Sequence, residues 1–180
     1  MDPLRQLPPR DAESGRTHVL IDTPAGSAGK FKYDPNLKVF KLSRVLPAGA
    51  VFPYDFGSIP GTRAPDGDPL DVLVLNLPRT FCGCLVGVRL LGVLKASQTE
   101  KGRTVRNDRL IGAAETEVNP SPVKDLRDLD AQVLKEIGQF FENYNRAHGR
   151  RFRVTGQGGR REAERLVRSG IAAYLDGGSP

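Results

Sequence analysis

The order of hydrophobic periods predicts a mainly β fold with added helices, an α+β chain, on three observations. From Thr17 to Ala113, short runs of β-type residues alternate with Gly, Pro and Asp turns. Beyond residue 130 the apolar period lengthens, twice, to that of a helix. The 180 residues suffice for one domain, which at this length buries roughly 70% of its unfolded surface. Many short strands at this spacing suggest a barrel or a sandwich.

Residues 1–16 are polar and Pro-containing, and are expected to form a flexible or partner-bound arm ahead of a single domain spanning 17–180. Strands are expected at 18–21, 38–42, 71–77, 84–94 and 109–113. Turn signals at 24–26, 34–36, 47–49, 65–67 and 101–102 separate them. Leu134, Ile137, Phe141 and Tyr144 recur at helical spacing, widened by Val133 and Phe140, and predict a helix over 130–148. Phe152 and Val154 alternate with arginines and predict a short strand with both facing inward. A second helix is expected over 160–175, with Ala163, Leu166, Val167, Ile171 and Tyr174 inside and Gly177-Gly178 as its stop. The Gly156-Gln157-Gly158-Gly159 stretch lacks a complete phosphate-loop or dinucleotide pattern and is read as a plain turn. Phe40 and Phe52 are read as core.

Lys plus Arg is 27 against 21 Asp plus Glu, a net charge of +6. That excess suits an anionic partner without separating nucleic acid from a small phosphate compound. The arginines at 150, 151, 153, 160 and 161 are read as a solvated basic surface. Cys82-Gly83-Cys84 is too closely spaced for an easy disulfide and has no second pair to build a zinc site. Both cysteines are read as packing residues in a reducing compartment. No run approaches the ~20 apolar residues that span a bilayer, so a cytoplasmic location is expected.

The most informative stretch is Asp66-Gly67-Asp68-Pro69-Leu70-Asp71, with three carboxylates in six residues on a turn that opens into Val72-Leu73-Val74-Leu75. A turn entering a buried strand holds acids at the mouth of a rigid element, where a metal or catalytic site needs them. Like charges this close repel and raise one another's pKa, and a divalent cation removes that cost. Hard oxygen donors suit Mg²⁺, Mn²⁺ or Ca²⁺ and not Zn²⁺. A solvated acidic turn is the bland alternative. Asp71 argues against it, because a carboxylate at the start of an apolar strand is costly unless paired or bound. The full EF-hand pattern does not follow.

This motif resembles the signature of the soluble family I inorganic pyrophosphatases. The resemblance spans roughly residues 17–155. It includes Val19-Leu20-Ile21-Asp22-Thr23-Pro24, Lys30-Phe31-Lys32-Tyr33-Asp34, Arg44 and Phe52-Pro53-Tyr54-Asp55-Phe56-Gly57-Ser58-Ile59-Pro60. Further on come Arg89-Leu90-Leu91-Gly92-Val93-Leu94, Asn107-Asp108-Arg109-Leu110-Ile111 and Phe140-Phe141-Glu142-Asn143-Tyr144. It implies an OB-like five-stranded β-barrel flanked by two helices, a homo-oligomer, and hydrolysis of inorganic pyrophosphate dependent on Mg²⁺, with Mn²⁺ as a possible substitute. It further implies Asp66, Asp71 and Asp108 as metal ligands and Asp68 as the general base. Lys30, Arg44, Arg109 and Tyr144 would bind substrate, Arg109 standing where the family usually has Lys. Asp22 falls near a family Glu that supports the site.

Four departures from the family pattern stand out. Phe56 replaces a Tyr, Asn145 a Lys, and Lys32 a common acid. The segment 97–108 is lengthened, placing Gln98 and Asn107 where Asp ligands are expected and leaving Asp108 or Glu100 to supply charge. A catalytically weakened relative is therefore one alternative. A basic OB-like module binding single-stranded nucleic acid is another, disfavoured because Trp is absent and the distinctive motif is acidic. Repulsion within the turn carries one more expectation: Asp71→Asn should leave metal-free stability unchanged or raised.

Overall fold

The computed structural model describes residues 3–75, 78, 80–116 and 120–177. Nine strands and two α-helices appear among them. In chain order these are β1 (Thr17–Thr23), β2 (Gly29–Asp34), β3 (Val39–Val45), β4 (Asp55–Ile59), β5 (Leu70–Leu75), β6 (Leu85–Glu100), β7 (Arg103–Arg106), β8 (Arg109–Ala114), α1 (Ala131–Arg146), β9 (Arg151–Gly159) and α2 (Arg160–Asp176). The expected strand end at residues 76 and 77, and Gly178, lie outside the described residues.

The main sheet runs β1-β4-β5-β8-β6-β7, and β1 also pairs with β6, so five strands (β1, β4, β5, β8, β6) close into a ring. Neighbours in the ring are antiparallel except β5 and β8, which run parallel. The long strand β6 serves four partners, β1, β7, β8 and β9. Irregularities at Leu90/Gly92 and Lys95/Ala96 break its register, and bulges of this kind let a strand bend. β2 and β3 form a separate hairpin.

Side chains alternate across a strand, and both faces here are covered. Leu73, Leu75, Ile111, Ala113 and Phe56 join Leu134, Ile137, Phe141 and Tyr144 of α1 in one cluster. Val72, Val74, Leu110, Val19 and Ile21 join Ala163 and Val167 of α2 in the other. This double burial explains why β5 and β8 read as unbroken apolar runs. The expected helical stripes therefore face as predicted. Asp130 caps α1, its side chain accepting from the Gln132 backbone N–H.

Several expectations change. β2, β4 and β7 were not anticipated. β7 pairs back on β6 through Lys101 and Gly102, both at positive φ (49° and 78°), the backbone of a tight hairpin turn. The lengthened 97–108 segment is thus a strand extension, not a loop. The glycine stretch after residue 155 continues β9 and is no turn: a Cβ on Gly92 of β6 would lie 2.4 Å from the Gly158 carbonyl oxygen, so small residues let β9 lie close to β6. Phe52 is core, but Phe40 is only half-buried and packs at a tilt against Tyr33 of its own hairpin. In the arm, His18 N–H donates to the Pro9 carbonyl at 3.0 Å, and Arg10 pairs with Glu164 of α2.

Gly57 in β4 passes so close to β1 that a Cβ there would lie 2.3 Å from the Leu20 carbonyl oxygen. Backbone cannot yield as a side-chain tip can. Gly57→Ala should cost about 2–4 kcal/mol, in the range of severe overpacking, read as a lower urea midpoint at unchanged m-value.

Candidate active site

Parallel register builds the centre of the site. Val72 of β5 lies beside Leu110 of β8, so the residues one step earlier, Asp71 and Arg109, enter their strands side by side. Arg109 Nη1 lies 2.7 Å from Asp71 Oδ2 in an ion pair. Arg109 is 5% exposed. Its guanidinium packs against the rings of Phe56, Phe141 and Phe152 at 5.9, 5.1 and 5.4 Å, an arrangement that favours a cation.

A second cation, Lys30, lies over one of the same rings, Phe56, and Arg44 stands across a hairpin from it. Lys30 and Arg44 are directly opposite in the β2–β3 hairpin and share a face. Lys30 Nζ sits 4.8 Å from the Phe56 ring and 5.7 Å from the Tyr144 ring. Burial pushes the Lys30 ammonium below its ordinary range, against the pull of Asp71. Tyr144, from α1, is 7% exposed, and burial raises its phenol while Arg44, Arg150 and Arg109 oppose the shift. Like charges set opposite one another on a sheet are destabilising, and an anion lying between them reverses the sign. Lys30 thus lies between Phe56 and Tyr144, Arg109 shares the Phe56 ring, and Arg44 is near enough to act on the Tyr144 phenol.

The carboxylates divide. Asp71 faces Arg109, and both Asp68 oxygens lie 2.8 Å from Lys32 Nζ. That second pair is more than half exposed at both ends and holds weakly. Asp66 is exposed and accepts the Asp68 backbone N–H at 3.2 Å. Desolvation first, then Asp71 and Asp68, push its carboxyl above the usual range. Asp22, on β1 at 8% exposure, is pushed up to about 7 by burial and then by Asp71, with Lys30 opposing. Carboxylates thus crowd around Asp71, with Lys30, Lys32 and Arg109 set among them. Oxygen donors in such a field suit a hard divalent cation, although among the described residues no three acidic, imidazole or thiol groups stand close enough to hold one as placed.

Asp108 is not brought to this cluster. Neighbours on an extended chain point to opposite sides, and Arg109 takes the inner one. Asp108 instead accepts from the Ala96 N–H at 3.0 Å and pairs with Arg106 at 2.6 Å. It lines an outer concavity of about 350 Å³ with Lys95 and Glu162. Glu100 is taken by Arg150 at 2.9 Å. The two positions where acids were expected hold each other: Asn107 Nδ2 donates to Gln98 Oε1 at 3.0 Å, and Asn107 Oδ1 accepts from Arg109 Nη1.

The other departures also find roles. Phe56 loses a hydroxyl and supplies a ring under both Lys30 and Arg109. Asn145, 2% exposed, bonds to the Phe141 carbonyl at 2.8 Å and ties down the end of α1. Cys82 donates to the Asp22 carbonyl at 3.0 Å, and burial raises its thiol to about 11, leaving it inert. The roles of Phe56, Gln98 and Asn107 were not legible beforehand, since each acts through a partner distant in sequence.

The family profile described as inorganic pyrophosphatase matches residues 19–175. The inorganic pyrophosphatase of Thermus thermophilus is 38% identical over 174 residues, 95% of this chain and 97% of that protein. That of Methanosarcina acetivorans is 37% identical over 158 residues, 88% of this chain and 92% of that protein. The crystal structure of the Thermus thermophilus enzyme superposes with a TM-score of 0.85, covering 96% of this chain and 98% of that one. The Helicobacter pylori inorganic pyrophosphatase does so at 0.84 with 28% identity, covering 94% and 99%.

The Arg109–Asp71 pair reverses the stability expected of Asp71→Asn. Removing the carboxylate strands a buried guanidinium, a larger cost than the repulsion relieved. Metal-free protein should lose about 2 kcal/mol, short of the full penalty for a wholly buried pair because the Asp71 side chain is 23% exposed; chemical denaturation in EDTA checks this. Asp22 carries the opposite sign. It binds its proton more tightly folded (about 7) than unfolded (3.8), so its contribution falls as pH rises between those values and stays lowest above them. Asp22→Asn should raise the melting temperature in EDTA at about pH 8 and lose that advantage near pH 4.

Proposed function

The chain belongs to the inorganic pyrophosphatase family, and we propose that it hydrolyses inorganic pyrophosphate to two phosphates with Mg²⁺ as its metal, Mn²⁺ serving as a substitute. The observation that carries this reading is the meeting of Lys30 and Arg109 over the Phe56 ring, with Arg44 opposite Lys30 in its hairpin and Asp71 of the carboxylate turn paired to Arg109. A small, highly charged anion needs fixed cations, and its own charge would help keep Lys30 protonated. Three of them, partly shielded from water, bind phosphoryl oxygens and stabilise charge on the departing phosphate.

Asp66 and Asp71 are the residues that would hold the divalent ion, whose chemistry when bound is to neutralise the anion and acidify the attacking water. Asp68 takes the proton of that water as general base. Lys32 must release one oxygen of Asp68 for this, which an exposed pair allows at small cost. Asp108 has no part in this reading, because its carboxylate is committed to Arg106 and the Ala96 amide. No covalent intermediate is required.

Residues 17–180 act in this reading as one pyrophosphatase-like domain, in a cytoplasmic homo-oligomer. Among the described residues no helix is long and apolar enough to cross a membrane. A second reading, a catalytically weakened relative, is favoured by one observation: amides stand at 98 and 107 where carboxylates were expected.

Phosphate release from pyrophosphate, with and without millimolar Mg²⁺, decides between the two. The expected result is Mg²⁺-dependent turnover that Asp71→Asn reduces at least a hundredfold, about 2.7 kcal/mol of barrier. Release equal to the enzyme-free control would remove the hydrolytic reading, and normal turnover by Asp71→Asn would remove its metal assignment.

A further inference from the structure

We propose that Asn107 and Gln98 are positioning residues for Arg109, and that this corner of the site receives a phosphoryl oxygen and not a metal ion. The proposal rests on the reading of Arg109 as a phosphate ligand. Gln98 lies near the C-terminal end of β6, opposite buried Phe152 on one side and Val105 on the other. Asn107 follows β7 and precedes Arg109 by two residues. Its Nδ2 donates to Gln98 Oε1, which leaves its own Oδ1 turned to Arg109 Nη1. The amide of Gln98 thus sets the orientation of Asn107, and Asn107 sets that of the guanidinium.

Nη1 is saturated by this arrangement, facing Asn107, the Asp108 carbonyl at 3.0 Å and Asp71 at 2.7 Å. The Arg109 Nε is buried and, among the described residues, has no acceptor. A guanidinium has five N–H donors in a rigid fork, so clamping one nitrogen aims the others. Rings on its faces leave only in-plane approach. The unmet donor points to an acceptor oxygen that arrives with substrate.

Charge explains why amides serve here. Asp71 already neutralises Arg109 once. A carboxylate at 98 or 107 would make this corner net negative and attract a cation. A neutral acceptor orients Arg109 and leaves its charge to an incoming anion. Amide oxygens also bind Mg²⁺ more weakly than carboxylates, and here both side chains are engaged with each other or with Arg109.

Steady-state kinetics in Mg²⁺ on Asn107→Ala and the milder Gln98→Ala, with Mn²⁺ binding followed by electron paramagnetic resonance, tests this. The KM for pyrophosphate should rise about tenfold and threefold respectively, with kcat changing less. Bound Mn²⁺ per chain should stay unchanged. In an Arg109→Lys background, Asn107→Ala should add little further loss, because it acts through Arg109. Loss of a Mn²⁺ equivalent would make these residues ligands and overturn the proposal. So would an unchanged KM with only a lowered melting temperature, or a fully additive loss with Arg109→Lys. A wild-type chain that releases no phosphate would defeat the hydrolytic reading alone. Calorimetric titration of pyrophosphate into the same variants then reads the positioning role, and equal affinities across them would defeat it.

Discussion

A guanidinium enclosed by aromatic rings is tolerated only with a counterion in place, and Arg109 finds that counterion in Asp71. The parallel pairing of β5 with β8 makes the meeting unavoidable, since the two residues enter adjacent strands at the same height. Much else follows from the pair. Phe56, Phe141 and Phe152 close around the cation from β4, α1 and β9. Asp71 then projects its field onto Asp22 and Asp66, holding both above the usual carboxylate range once burial has begun the shift.

The site is in this sense a charge balance set by the sheet. Acids and bases reach it from β1, β2, β3, β5, β8 and the turn before β5, and most partners are far apart in sequence. Lys30 and Arg44 are forced together by hairpin register. Lys32 reaches Asp68 from the neighbouring hairpin. The surplus cations favour an anionic ligand and the surplus carboxylates favour a divalent cation. A metal complex of a phosphoric anhydride carries both charges.

The hairpin of β6 and β7 marks where this chain parts from the family pattern. The added length is absorbed by extending two strands and turning at Lys101 and Gly102. That extension sends Asp108 outward and leaves Gln98 and Asn107 inside, neutral and bonded to each other. The charge count of the site is lowered by two on this side without loss of hydrogen-bonded order.

The sequence by itself determined the class of fold, the two helices and their buried stripes, and the acidic turn. These are local properties: apolar period, and Gly and Pro at turns. It determined Lys30, Arg44, Arg109 and Tyr144 as a set only through resemblance, because no spacing links them. The hairpin strands β2 and β7 and the short β4 escaped notice, as their stability comes from partners and not from long apolar runs. What only tertiary structure decided was which neighbour each charge meets. Asp71 reads as a repelled member of an acidic triplet until β8 brings Arg109 beside it, and Asp108 reads as a ligand until strand alternation turns it outward. Electrostatic sign depends on through-space distance, and in a sheet that distance is set by register, which short-range sequence pattern does not encode.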